Sequence, residues 1–118
     1  MNSDKPIFIQ IMEMIEDDIL FGTYQPNDII ISTTQISKLL NVNPTTSVKA
    51  ISKLTDEGIL YKKRGIGMCV TNEARKIINT RRKKNFIDTA VPEIVNESEK
   101  LGISENELID IIRRAKND

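Results

Sequence analysis

The densest chemistry in this 118-residue chain is the run Lys62-Lys63-Arg64-Gly65-Ile66-Gly67, three cations followed by two glycines. Cations set side by side neutralise phosphates or enter a minor groove. A glycine tip lets backbone come close to a duplex because no side chain stands in the way. Lys63, Arg64, Gly65 and Gly67 are therefore candidate nucleic-acid contacts. A second set lies upstream, in residues 44–57. At about 100° per residue, Ser47, Ala50, Ile51 and Leu54 fall on one side of a helix, and Thr45, Lys49 and Ser52 on the other. Thr46, Val48 and Lys53 lie on the flanks. A face of small hydroxyls and lysines suits a major groove: bulk is absent, hydroxyls reach phosphates or base edges, and Lys donates to guanine. An ordinary hairpin and a solvated helix face would account for either set alone. Their order along the chain argues against coincidence.

Other chemistries find little footing. The chain has no His, which excludes His-ligated zinc and a His general base. One cysteine, Cys69, cannot form an intramolecular disulfide or a cysteine cluster, and beside Val70 it reads as a small core residue rather than a redox sensor. Gly65-Ile66-Gly67 lacks the third glycine of a dinucleotide fingerprint. No enzyme activity, cofactor or metal is expected. No apolar run approaches the ~20 residues that span a bilayer, and the opening Met1-Asn2-Ser3-Asp4-Lys5-Pro6 has no signal pattern. A cytoplasmic protein without a membrane partner is expected. Net charge is zero, yet it is unevenly spread. Residues 1–32 carry one Lys against six acids, and residues 85–118 carry four cations against eight acids. Between them, residues 33–84 hold twelve cations and three acids, a basic middle suited to an anionic partner.

The elements that must position these residues are legible. Ile7, Ile11, Met14, Ile15 and Ile19 recur at helical spacing, and Gly22 ends that helix. Tyr24-Gln25-Pro26-Asn27-Asp28 reads as a turn, and Ile29-Ile30-Ile31 as one brief strand. Ser32, Thr33 and Thr34 supply a cap for a helix buried through Ile36, Leu39 and Leu40. Asn41-Val42-Asn43 is too short for anything but a tight turn, and Asn43 with Pro44 starts the next helix. Two short helices joined by about three residues have helix-turn-helix spacing. Ile59-Leu60-Tyr61 and Met68-Cys69-Val70-Thr71 flank the basic tip as strands of a hairpin. A helix is expected from a cap at Asn72 to about Thr89, kinked or broken by Pro92, resuming to Leu101 and restarting in a capping box, Ser104-Glu105-Asn106-Glu107. The fold expected is mostly α with a small β-hairpin wing: residues 1–72 a winged helix-turn-helix, residues 73–118 a short helical dimerisation tail.

On these residues the chain resembles the DNA-binding domain of the GntR family of bacterial regulators. The landmarks are Pro6-Ile7-Phe8-Ile9-Gln10-Ile11, Ile19 to Gly22, Pro26-Asn27-Asp28 with Ser32, Leu40-Asn41-Val42, Thr46, Ala50-Ile51, Leu54, Glu57-Gly58-Ile59-Leu60, and Arg64-Gly65-Ile66-Gly67 with Val70. Val42-Asn43-Pro44-Thr45-Thr46 and the short tail are similar to the YtrA subfamily. That resemblance implies a two-helix dimerisation tail in place of a large effector domain, and often repression of an operon encoding an ABC transporter. It adds Ser32, Thr34 and Asn43 to the candidate DNA contacts Thr45, Thr46, Val48 and Lys49. There are departures. Ser32-Thr33-Thr34 stands where the family has Ser-Glu-Arg, Pro44 and Val48 stand where it often has Arg, and Lys49 replaces Arg. Without arginine forks, bidentate guanine contacts weaken, so the family's operator does not carry over. The implied partners are double-stranded operator DNA and a second copy of the chain, with room for a small-molecule or stress-related effector. A homodimer is also expected because Ile77, Ile78, Phe86, Ile87, Ile94, Val95, Leu101, Ile103, Leu108, Ile109, Ile111 and Ile112 exceed what short helices bury on themselves. The competing expectation is a winged-helix protein–protein adaptor that binds no DNA.

Overall fold

The computed structural model describes residues 4–118. Met1, Asn2 and Ser3, part of the stretch read above for a signal pattern, lie outside the described residues. Pro6 opens helix α1 (Ile7–Leu20), its carbonyl accepting from the Ile9 and Gln10 N–H groups. Ile11, Ile15 and Ile19 of the expected stripe are buried along one side of α1 and Met12 joins them, while Met14 is half-buried and Ile7, at the start of the helix, is exposed. The turn that follows reverses the chain through Asn27 at a φ of 71°, with Asp28 Oδ2 accepting from the Gln25 N–H at 2.7 Å.

Helix α2 (Thr33–Leu40) starts at a complete capping box. Ser32 Oγ accepts from the Gln35 N–H at 3.1 Å, and Gln35 Oε1 accepts from the Ser32 N–H at 3.0 Å. It ends at Asn41 in the left-handed region, φ 53°. After the tight turn, α3 (Pro44–Asp56) begins at Asn43, whose side chain caps it, with Pro44 in the first turn. Ser37 Oγ donates to the buried Ser47 Oγ at 2.8 Å and ties α2 to α3.

Strands β1 (Leu60–Lys63) and β2 (Gly67–Val70) pair antiparallel, Leu60 opposite Val70 and Lys63 opposite Gly67. The Ile29-Ile30-Ile31 run joins this hairpin as a single bridge between Ile29 and Cys69, rather than as a strand of its own. Backbone bonds from Asn27 N–H to Val70 O and from Ile30 N–H to Met68 O extend the contact. Asn27 Oδ1 also accepts from the Tyr61 hydroxyl at 2.9 Å, so one turn residue braces both strands of the wing.

Helix α4 (Ala74–Asn85) begins two residues after the expected cap at Asn72. The chain forms two compact units, the first ending at Thr80 and the second Arg81–Asp118. The first unit takes in the start of α4, because Ala74 and Ile78 are buried in its core with Ile11, Ile36, Leu54, Ile59 and Val70, while Arg75 donates to Ile19 O at 3.1 Å. Ile77 and Ile78, counted with the tail in the sequence, thus serve this core.

Pro92 neither breaks the helix nor stands alone in it. The residues before it, Phe86–Ala90, wind as a π-helical turn in which the Val91 N–H reaches Phe86 O, and α5 (Val91–Lys100) follows without interruption. A proline lacks the N–H of the α ladder and crowds the carbonyl four residues back; the wider turn relieves that crowding. Helix α6 (Glu105–Asn117) is capped by Ser104, which accepts from the Glu107 N–H at 3.1 Å. The Glu107 carboxylate accepts from the Ser104 hydroxyl at 3.2 Å, so only the Ser half of the expected box forms.

Candidate nucleic-acid interface

The face of α3 divides as its spacing implies. Ser47, Ala50, Ile51 and Leu54 are buried, while Thr45, Val48, Lys49, Ser52 and Lys53 are exposed and Thr46 is half-buried. Pro44, Thr45, Val48, Lys49, Ser52, Lys53 and Asp56 line one shallow depression along the outer side of this helix. Val48 is 53% exposed on this side.

The N-terminus of α3 is already satisfied. Asn43 Oδ1 accepts from the Thr45 N–H at 3.0 Å and from the Thr45 hydroxyl at 2.9 Å, and Asn43 O accepts from the Thr46 N–H at 2.9 Å. These groups would have to release their bonds before donating to a phosphate, so Asn43 and Thr45 act first as structural cap. The half-buried Thr46 hydroxyl is the better placed phosphate anchor of the pair. Ser32 is similarly occupied by its capping box, although its hydroxyl proton remains available as a donor. Thr34 is exposed in the first turn of α2.

Lys49 carries the central positive charge of the face. Its Nζ lies 4.1 Å from the centroid of the Phe8 ring, on α1. Sequence spacing could not reveal this contact, since the partners are on different helices and an aromatic ring leaves no periodic signature of what lies above it. The Ser32–Gln35 box, by contrast, was open to reading as Ser-x-x-Gln.

At the wing, Lys63, Arg64, Gly65 and Ile66 are exposed and Gly67 is half-buried. The turn is closed by the Ile66 N–H donating to Lys63 O at 2.9 Å, with Gly65 at a φ of 77° and Gly67 at 138°. Both values favour glycine, so the hairpin itself demands these residues. A Cβ on Gly67 would meet Ile29 Cγ2 at 3.7 Å, an ordinary contact, whereas one on Gly65 would meet nothing within 4 Å. Gly65 therefore presents bare backbone to solvent beside Arg64. Ile66, absent from the candidates read in the sequence, is 51% exposed between the two glycines. The candidates thus occupy three places in the first unit: the start of α2, the outer face of α3 and the tip of the hairpin. Cys69 is fully buried, as a core residue would be. Among the described residues no cluster of potential metal ligands occurs, and no helix is long and apolar enough to cross a membrane.

Comparison with known proteins assigns this architecture. Residues 9–70 match the model of the bacterial regulatory proteins of the gntR family. The chain is 25% identical over 116 residues to the HTH-type transcriptional repressor YtrA of Bacillus subtilis, covering 98% of this chain and 88% of that protein. A GntR family transcriptional regulator from Listeria monocytogenes superposes with a TM-score of 0.75 at 30% identity, covering 97% of this chain and 98% of the other. The structure of AraR(DBD) in complex with operator ORR3 superposes with a TM-score of 0.53 at 30% identity, over 56% of this chain and 80% of that one.

Proposed function

This chain belongs to the GntR family of bacterial regulatory proteins, and from that premise we propose that it is a homodimeric repressor that lays α3 in the major groove of a near-palindromic operator and its wing along the neighbouring minor groove. It is a DNA-binding regulator and not an enzyme. The observation that carries the finer reading is the outer face of α3: a central lysine, an exposed valine and small hydroxyls on a helix whose opposite side is wholly buried. Such a face fits a groove sterically and can donate to base edges. Lys63 and Arg64 would neutralise backbone phosphates, and Gly65 would let the tip approach them. Repression follows the similarity to a named repressor, and the resemblance to the YtrA subfamily suggests an operon encoding an ABC transporter. Residence in the cytoplasm follows from the operator as partner.

The homodimer has a physical motive. Within Arg81–Asp118 the one buried side chain is Ser98, while Phe86 is 57% and Leu101 66% exposed, and Ile87, Ile94, Ile111 and Ile112 are exposed with them. A helical unit with its apolar residues in water gains most by covering them with a second copy, as isologous interfaces do. Selection of fragments from the native genome, followed by affinity measurement on the selected site, tests the operator. A site composed of two inverted half-sites is expected. A protein with no affinity for any duplex at low salt would instead be a protein–protein adaptor.

A further inference from the structure

Lys49 stands alone on the central line of the exposed face of α3, and a free lysine there would sample many rotamers. In the structure its ammonium lies 4.1 Å from the centroid of Phe8, a contact that favours one of them. Phe8 is in the first turn of α1 and packs, half-buried, against the core. The ring is thus anchored by the fold, and its electron-rich face attracts the cation. An aromatic face is not a hydrogen-bond acceptor of the ordinary kind, so ammonium protons turned away from the ring remain free to donate. Part of the rotamer freedom that a DNA contact would remove from Lys49 is thereby given up on folding.

We propose that Phe8 is a positioning residue for duplex recognition: its ring holds the Lys49 ammonium at one point above α3 and so determines which base pair the lysine reads. This rests on the reading of α3 as the major-groove helix. The opposite arrangement, in which the ring withholds Lys49 from DNA, makes the opposite prediction and is excluded or established by the same experiment.

The test combines NMR of the free protein with binding to an operator panel in which each base pair is changed in turn. The ε-methylene protons of Lys49 are expected upfield of those of the other lysines through the ring current of Phe8. Phe8→Leu keeps an apolar contact with the core but removes the ring; the upfield shift is then lost. Binding of that variant to the preferred operator falls about two- to fivefold, the size of an exposed cation–π contact, while operators altered opposite Lys49 are bound almost as before, so preference flattens at that pair. Phe8→Tyr restores both the shift and the preference, which a purely structural role would not require. In a Lys49→Met background Phe8→Leu has no further effect on the preference. Absence of the upfield shift in the wild-type protein overturns the proposal, and needs no variant. Binding by Phe8→Leu that is as tight or tighter, with preference intact, also overturns it while leaving the groove reading standing. Failure of the wild-type protein to bind any duplex overturns both.

Discussion

Gly65 separates two demands placed on a wing tip. Its φ of 77° asks for a residue that tolerates the left-handed region, and the open space around it asks for nothing else. Most L-residues lose about 1–2 kcal/mol in that conformation, and Asn loses less. Gly65→Asn is therefore expected to unfold at nearly the wild-type denaturant concentration yet bind operator more weakly, because a side chain now stands between the tip and the backbone it approaches. Normal affinity in that variant would show that the wing is not a DNA element. At α3 the residues divide by what they can read. Lys49→Ala should cost roughly 1–3 kcal/mol of binding and relax preference at one base pair, expected to be a guanine, if Lys49 reads a base directly. Thr46→Ala should weaken all sequences about equally, since phosphate contacts carry no sequence. Val48 offers only methyl groups, for which the thymine C5-methyl is the matching partner, so the adjacent position is expected to prefer thymine. Uniform loss for Lys49→Ala on a fully substituted operator panel would place that lysine on phosphate instead.

The helix-turn-helix depends on how two short helices are locked together. Ser47 is wholly buried, and its hydroxyl is met by that of Ser37 at 2.8 Å. Ser37→Ala strands a buried polar group and should cost about 1–3 kcal/mol of stability. Removing both hydroxyls leaves nothing stranded, so the double variant Ser37→Ala with Ser47→Ala is expected to recover part of that loss in urea unfolding. A double variant as unstable as the sum of the singles would show that the hydrogen bond is not what holds α2 against α3. The same experiment applied to the α3 cap has a simpler expectation: Asn43→Ala should cost about 1 kcal/mol of stability, because the Thr45 N–H that donates to Asn43 Oδ1 loses its partner.

For the whole molecule, charge and apolar surface lead to two measurements. Twelve of the seventeen cations fall within residues 33–84, so an uncharged total hides a strongly basic middle. A dimer that neutralises six or more phosphates should lose about a thousandfold in affinity between ~50 and ~200 mM salt. An affinity indifferent to salt would point to a partner other than DNA. The exposed apolar residues of Arg81–Asp118 call for sedimentation at micromolar concentration, where a dimer is expected. Leu101→Glu together with Ile112→Glu should yield monomers whose first unit retains its cooperative unfolding, since the core of that unit is formed by residues up to Ile78.

What the amino-acid order determined by itself was local. Asn43 with Pro44 announces a helix start, Gly58 an end, and Lys63-Arg64-Gly65 a basic tip, because caps, glycine turns and apolar periods act over a few residues. The family landmarks share that local character, so the winged helix and most of the candidate interface were legible before any coordinates. Tertiary structure decided the rest, because each remaining feature joins groups distant along the chain. It brought Phe8 beneath Lys49 and Ser37 against Ser47, and it made Asn27 the brace of Tyr61 and β2. It also drew Ile78 out of the tail and into the core of the first unit, where packing against α1, α2 and α3 residues outweighs its place in the sequence. At Pro92, where the sequence implies a kink or a break, the outcome was likewise settled only by the π-helical turn over Phe86–Ala90. Periodicity nominates residues to leave water; the assembled core decides which of them do and what they meet, and it leaves Leu39, counted on the buried side of α2, 70% exposed.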